Sequence, residues 1–387
     1  MANENLGNAK KAKNDEFYTQ FQDIEKEMNA YLEYNANVFR DKVVLLPCDD
    51  PEWSNFTKYF AQNFEKLGLK KLISTSYAPN SKPLELNAQP TLFEMESPQF
   101  DASKAVQNGK IFTLTRDTTG DNVINVDDLE WDYLDGNGDF RSEEVTRLRH
   151  EADVIITNPP FSLFREFLEW LENGSKRYSI IGNMNAITYK ELFPLIKDDE
   201  VWLGATIHSG DREFQIPKTQ EIRSPSLRFD EQGNAYVRVD GVRWFTNIDH
   251  GRRHQPLPLM TMEDNIKFSK HKEIKGVGYQ EYDNYEAIEV PFTDSIPSDY
   301  EGVMGVPISF LSKYNPDQFE IFGMCENMDL YNLKTRNYSS AECKAAYLKK
   351  FSKPGTYDLN ASGVILKDGL LEKVYQRILI RHRKAAK

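Results

Sequence analysis

The residues best suited to chemistry stand together at Asn158, Pro159, Pro160 and Phe161. An amide side chain followed by a backbone carbonyl gives two hydrogen-bond acceptors in a loop that the prolines stiffen. Such a pair suits an exocyclic amine like that of adenine, a poor nucleophile because its lone pair is delocalised into the ring. With the Asn158 side-chain oxygen and the Pro159 carbonyl holding both amine hydrogens, the lone pair is left facing an electrophile. Phe161 supplies a surface on which the base could stack. A base in a duplex must first be swung out, at an unstacking cost that stacking and edge contacts in the pocket offset. With a sulfonium methyl group aligned behind the amine, the reaction is an in-line displacement governed mainly by positioning. It needs neither a metal nor a covalent intermediate. Taken alone, however, Asn-Pro-Pro is most often a turn, and the flanking elements must decide.

Val154, Ile155, Ile156 and Thr157 are β-branched and nearly continuous in apolarity, the pattern of a strand covered on both faces. Two prolines without N–H donors stop the ladder at Asn158. Downstream, Leu163, Phe164, Phe167, Leu168 and Leu171 recur at helical spacing, with Ser162 expected as N-cap. The order is strand, rigid loop, helix, and in an open α/β sheet the loop leaving the carboxyl end of a strand is where ligands bind. Further strands are expected at 42–47, 70–77, 110–115, 178–183, 201–207 and 242–248, and helices at 55–68, 162–174 and 187–197. The alternation implies an α/β fold with a mostly parallel, twisted sheet and helices on both faces. Residues 227–245 read instead as an antiparallel hairpin with EQGN and DG turns. After about residue 250 the alternation fades and prolines multiply, which marks a boundary.

A chain of 387 residues suits a catalytic domain plus a smaller one. The first 14 residues are polar and read as a flexible tail, not a signal peptide. No apolar run approaches the ~20 residues of a membrane span. Cys48, Cys325 and Cys343 are too few and scattered for a disulfide framework or a zinc knot, so a soluble, cytoplasmic protein is expected. The net charge of -12 argues against a nucleic-acid partner less than it first seems to, because distribution matters more than sum. Acids concentrate at 127–144, while bases gather at 223–253 and in the last residues, and one basic face is enough for phosphate contacts. Arg243, Arg252, Arg253, Arg377 and Arg381 are the candidates for them. The terminal VYQRILIRHRK alternates like a strand with Arg377 and Arg381 on one face, equally readable as an edge strand guarded by charge. His250 and His254 read as solvent-facing or phosphate-contacting. The DGNGD at 135–139 is not a calcium loop, since Phe140 and Thr146 stand where glycine and a bidentate glutamate belong.

The motifs as a set resemble the EcoRI-type adenine-specific DNA methyltransferases: DEFYTQ at 15–20, VVLLPCDDPEWSNFTKYF at 43–60, GNGDFRSEE at 136–144, ADVIITNPPFSLF at 152–164, RWFTNIDH at 243–250, YDNYEAIEV at 282–290 and DYEGVMGVPISFLSKYNPDQFEIFG at 299–323. The likeness runs from Asp15 onward. It implies a Rossmann-like methyltransferase domain at 15–250 with an antiparallel final hairpin and a DNA-contacting insertion at about 208–241. A C-terminal target-recognition region would follow at 251–387. S-adenosylmethionine would be the methyl donor and duplex DNA the partner of a monomer that needs no metal or membrane, in restriction-modification or as a solitary methylase. Carried across, the resemblance places Tyr18 and Thr19 against the methionine part of the cofactor, with Gln20 where a proline is common. Pro47, Cys48 and Asp49 would shape the glycine-free loop after the first strand, and Asp49 or Asp50 would be available to accept from the ammonium group. Asp139 would accept from the cofactor's adenine amine, with Phe140 near its ring. Cys48 is equally readable as a small buried residue, and Asp49 or Asp50 as a helix cap. The second strand lacks the acid that normally holds the ribose. An RNA adenine or a protein glutamine is the alternative substrate, and an inactive cofactor-sensing DNA-binding protein the alternative of another kind.

Overall fold

In the computed structural model, which describes residues 19–49, 54–78, 97–207, 212–216 and 226–383, the short apolar runs before residue 250 build one eight-stranded sheet. Its strands are β1 (Val43–Leu46), β2 (Lys71–Thr75), β3 (Lys110–Leu114), β4 (Glu130–Tyr133), β5 (Val154–Thr157), β6 (Arg177–Asn183), β7 (Trp202–Leu203) and, after β8 (Arg212–Ile216), β9 (Arg228–Phe229) and β10 (Ala235–Val239), the final β11 (Val242–Thr246). The order is β4-β3-β2-β1-β5-β6-β11-β7. Parallel pairing holds only in the centre, from β2 through β1 and β5 to β6. Both flanks are antiparallel, so the sheet is mixed and not mostly parallel. The reason is in the connections. A parallel neighbour needs a crossover, usually helical, whereas β3 returns to β4 through a loop whose helical content is one 3-10 turn, Val126–Asp128.

The 227–245 stretch also departs from the expected hairpin. β10 pairs with β8 and β9 in a separate three-stranded sheet, while β11 enters the large sheet between β6 and β7. All five residues of β11 are buried, against two of five in β10, and only an interior place in a sheet covers both faces of a strand. The Asp240–Gly241 turn therefore switches sheets. It is fastened to the end of β6 by Met184 N–H donating to the Gly241 carbonyl and the Asn183 amide to that of Asp240.

Around the sheet lie α1 (Phe21–Tyr34), α2 (Asn55–Gln62), α3 (Phe64–Leu67), α4 (Glu143–Glu151) and α5 (Phe164–Glu172). The helix expected at 55–68 is thus broken at Asn63, and that at 187–197 shrinks to α6, Phe193–Lys197. Ser162 is not an N-cap. Leu163 N–H bonds back to the Pro160 carbonyl, so a 3-10 turn over Phe161–Leu163 takes the place the cap would have had, and α5 begins at Phe164. One face of α5 is Phe164, Phe167, Leu168 and Leu171, all buried. Phe164 lies where Gly182 of β6 has no side chain, since a Cβ there would come within 2.3 Å of its ring.

α1 carries a buried acid. Glu27 accepts from the backbone N–H groups of Ala205 and Thr206, 2.8 and 2.9 Å away, and from the Thr206 hydroxyl, so it closes the turn that follows β7. Burial lifts its carboxyl above the ordinary 4.5, against the pull of these donors. The folded value lies above the unfolded one, so its contribution to stability is complete below about pH 4.5 and shrinks as pH rises through the folded value. Wild type is therefore expected to lose stability relative to Glu27→Gln, which has no such proton, as pH rises above the ordinary carboxyl value of 4.5 in urea titrations. A difference that stays constant over that rise would remove the linkage.

The described residues divide into two units, one running to Phe193 and then Val201–Gly251, the other Pro194–Glu200 and Arg252 onward. In the second unit, β12 (Gln280–Glu281), β13 (Ile288–Glu289), β14 (Met304–Pro307), β15 (Phe319–Met324) and β18 (Arg377–His382) form a sheet in the order β12-β13-β14-β18-β15. The terminal strand is therefore interior, between β14 and β15, and not an edge. A hairpin of β16 (Val364–Lys367) and β17 (Leu370–Lys373) stands apart, and the helices are α7 (Met262–Phe268) and α8 (Ser340–Phe351). No described helix is long and apolar enough to cross a membrane.

Candidate active site

Asn158 follows directly on Thr157, the last residue of β5, at the edge where the parallel strands β2, β1 and β5 end and β6 runs on to Asn183. Asn158 and Pro160 are half-buried and Pro159 is buried. Phe161 packs one part of its ring against the core that includes Val44, Val154 and Ile156, and keeps the rest uncovered. An amide, a carbonyl and an aromatic ring thus share one short loop at the end of the sheet where ligands bind.

The loop after β1 is organised by Asp49, which is 5% exposed. One carboxylate oxygen accepts from the Ser54 hydroxyl at 2.7 Å and the other from the Thr157 hydroxyl at 2.5 Å. Its carbonyl accepts from Ser74 at the end of β2, whose hydroxyl also meets Thr57 at 2.9 Å. Ser54, not Asp49, caps α2, accepting from Phe56 N–H at 3.1 Å. Pro47 is buried and its carbonyl accepts from Thr75 at 3.1 Å. Cys48 is half-buried and in no disulfide. Asp50 and Tyr18 lie outside the described residues. Thr19 is tied to the start of α2, where Asn55 donates to its carbonyl at 2.8 Å. Its own hydroxyl oxygen is buried, 4% exposed for the residue, with no hydrogen-bond partner among the described residues. A buried hydroxyl left in that state is what a bound polar ligand satisfies.

The GDF corner closes the other side of β2. Gly138 has φ +80, and a Cβ there would fall 2.1 Å from the Ser76 carbonyl oxygen, so only glycine lets this loop reach the strand end. Ala78 N–H donates to the Asn137 carbonyl at 2.8 Å and fixes the approach. Asp139 accepts from the Arg141 backbone N–H and from two atoms of its guanidinium, at 2.7 to 2.9 Å. Arg141 continues to Glu166 at 2.6 Å, and these partners, Asp139 first, raise its pKa further. Phe140 does not stand open beside a ligand ring. It is buried edge-on against Phe167 and Trp170, at 5.0 and 5.8 Å between centroids, where the apolar face of α5 draws it in. The three hydroxyls that end β2, Ser74, Thr75 and Ser76, are engaged with backbone groups.

Three of the five arginines expected to face DNA are buried. Arg243 sits inside the large sheet with Nη1 donating to the Val242 carbonyl at 2.6 Å, and burial, with Arg212 nearby, lowers its pKa. Arg253 is paired with Asp199 and Arg377 with Glu289. Buried guanidinium groups survive by such pairing, and all three lie inside the protein where the sequence suggested an outward-facing charge. Arg252 is exposed, and Arg381 is partly so, lying over the Phe322 ring at 4.6 Å with Glu320 at 3.4 Å in a half-exposed pair. His250, expected toward solvent, is buried with Nε2 at 3.0 Å from the Leu203 carbonyl.

The family model described as "Adenine-specific methyltransferase EcoRI" matches residues 5–383. The chain belongs to the EcoRI adenine-specific methyltransferase family. Within that family it is 42% identical over 327 residues to the Type II methyltransferase M.EcoRI of Escherichia coli, covering 84% of this chain and 91% of the relative. It is 34% identical over 334 residues to M.MpnI of Mycoplasma pneumoniae, covering 85% and 89%, and 32% identical over 334 residues to M.MgeORF184P of Mycoplasma genitalium, covering 85% and 90%. No solved structure matches it. Thr157, Ser54 and Ser74, whose hydroxyls meet Asp49, belong to none of the chemical roles that the motifs suggest. The β-branched run gave Thr157 a strand role, and the pairing that gives it a second role joins residues 108 positions apart.

Proposed function

We propose that this adenine-specific methyltransferase moves a methyl group from S-adenosylmethionine to N6 of an adenine turned out of duplex DNA. The observation that carries the reading is the amide, carbonyl and ring of Asn158, Pro159 and Phe161 in one loop at the ends of the central parallel strands. Thr19, Pro47, Cys48 and Asp139 are the residues to hold the cofactor, beside the Asp49 network. The orphaned Thr19 hydroxyl fits a polar group there. The cofactor, when bound, supplies an electrophilic methyl on a positively charged sulfur.

Asn158 Oδ1 and the Pro159 carbonyl accept the two amine hydrogens, which turns the N6 lone pair away from the ring and fixes its direction. Phe161 stacks on the base and offsets the unstacking cost. As the nitrogen takes the methyl carbon, the amine gains positive charge, and both acceptors then bind it more strongly than in the ground state, which is the condition for raising kcat. The extra proton leaves to water. Residues 251–387, with the β8-β9-β10 sheet, are the DNA-reading parts, and exposed Arg252 and partly exposed Arg381 are the phosphate contacts retained from the arginine set. The Type II relatives point to restriction-modification as the setting.

Methyl transfer from labelled cofactor to duplex DNA, structured RNA and protein is the test. Label in N6-methyladenine after digestion of the DNA is expected. Label only in RNA or protein, or no transfer at all with DNA bound, would overturn the reading.

A further inference from the structure

Beyond the loop itself, we infer that the Thr157 hydroxyl, held by Asp49, is the positioning group that sets Asn158 and Pro159 for the reaction. This rests on the functional reading above. Thr157 is the residue before Asn158, and its backbone is fixed in β5 by pairing with Ile180. Its side chain is fixed separately, by the 2.5 Å bond to Asp49. Asp49 is in turn held from three sides, by Ser54 at the cap of α2, by Ser74 at the end of β2 and by Thr157 itself. Asp49, Ser54, Ser74 and Thr157 are all buried, so water neither competes for these bonds nor replaces them when one is lost.

The consequence is geometric. β5 ends at Thr157 because Pro159 and Pro160, which follow Asn158, cannot continue the ladder, so sheet pairing fixes the loop only up to that point. The Thr157 hydroxyl is the last side-chain anchor before the acceptors, and it ties them to the loop after β1. A carboxylate with two hydroxyl donors is a directional clamp, since each bond fixes one oxygen. Positioning in-line displacement to within about 1 Å is worth up to roughly 10²-fold in rate, and the Thr157 anchor is placed to supply part of it.

A purely structural role for the same network is the competing explanation, and Thr57 separates the two. Its hydroxyl belongs to the network through Ser74 and is equally buried, and its hydrogen bond there is to Ser74, not to Asp49 or Thr157. Thr157→Val keeps the shape and removes the donor; Thr157→Ser restores it; Thr57→Val removes a bond at the far end. Expected for Thr157→Val is a fall in kcat for DNA methylation of roughly tenfold, with KM for DNA and for S-adenosylmethionine within about threefold of wild type. Thr157→Ser should recover most of the loss, and Thr57→Val should lower thermal stability without lowering kcat. Asp49→Asn combined with Thr157→Val should be slower than either single variant by less than the product of their separate effects, because the two changes share the Thr157–Asp49 bond. The inference is overturned if Thr157→Val turns over like wild type, or if Thr57→Val loses kcat to the same degree. Should Thr157→Val not fold, Thr157→Ala carries the same comparison against Thr57→Val. A wild-type protein that methylates no DNA would sink the functional reading instead, so the two failures are distinguishable.

Discussion

Asn158→Ala is expected to leave duplex-DNA binding intact and to lower kcat for adenine methylation by about 10²- to 10³-fold, the usual cost of removing one preorganised polar group aimed at charge that develops in the transition state. Truncation removes one of the two acceptors and leaves the amine held only by the Pro159 carbonyl. A single acceptor cannot fix the direction of a lone pair, since the amine can rotate about the remaining bond. The loss therefore falls on the step in which nitrogen becomes positive, and kcat and kcat/KM should drop together while KM holds. Asn158→Asp keeps an acceptor oxygen in the side chain and should retain more activity than alanine. Single-turnover methylation of a duplex, with binding measured separately by titration, checks both. Turnover by Asn158→Ala within about twofold of wild type would take Asn158 out of the reaction.

The central strands and the Asn158 loop were legible because the signal is local. Four β-branched residues followed by two prolines leave the backbone little choice. Phe140 shows where locality ends. Its place in a GDF corner suggests a ligand face, but the residues that claim it, Phe167 and Trp170, lie on a helix whose spacing predicts an apolar face without saying what packs on it. The 227–245 segment failed in a related way: two alternating runs and a turn satisfy the rule for a hairpin, yet β11 is buried throughout and had a better place between β6 and β7. The arginines are the plainest case. Sequence gives each a charge, and whether that charge meets a phosphate or a carboxylate depends on partners such as Asp199 and Glu289, which stand 54 and 88 residues away. The Asp49 clamp was out of reach for the same reason, since a carboxylate near a loop looks alike whether it waits for a ligand or holds two hydroxyls.

Arg377→Ala tests that difference, and it is expected to destabilise the protein by about 3–5 kcal/mol, the cost of stripping one partner from a buried ion pair. Arg377 opens β18, inside the second unit's sheet, and reaches Glu289 of β13 through Nε at 3.0 Å and Nη2 at 2.6 Å. Both side chains are 8% exposed, and the Tyr282 hydroxyl also donates to Glu289. Burial first and the Glu289 charge second hold the Tyr282 hydroxyl and the Cys325 thiol above their ordinary values, so removing the arginine leaves a carboxylate in surroundings that already disfavour negative charge. Glu289→Ala should cost a similar amount by stranding the cation. Replacing both with Met and Leu should restore much of the loss, because well-packed apolar residues can substitute for a buried pair. Denaturant melts of the two single variants and the double give these differences directly. The double variant then answers the functional question: a phosphate contact would lower the slope of log affinity against log salt by about one, whereas an arginine committed to Glu289 leaves that slope unchanged. A reduced slope with stability preserved would return Arg377 to the DNA interface. An unchanged slope means that the charge that reads like a DNA contact in the terminal strand serves to hold that strand between its neighbours.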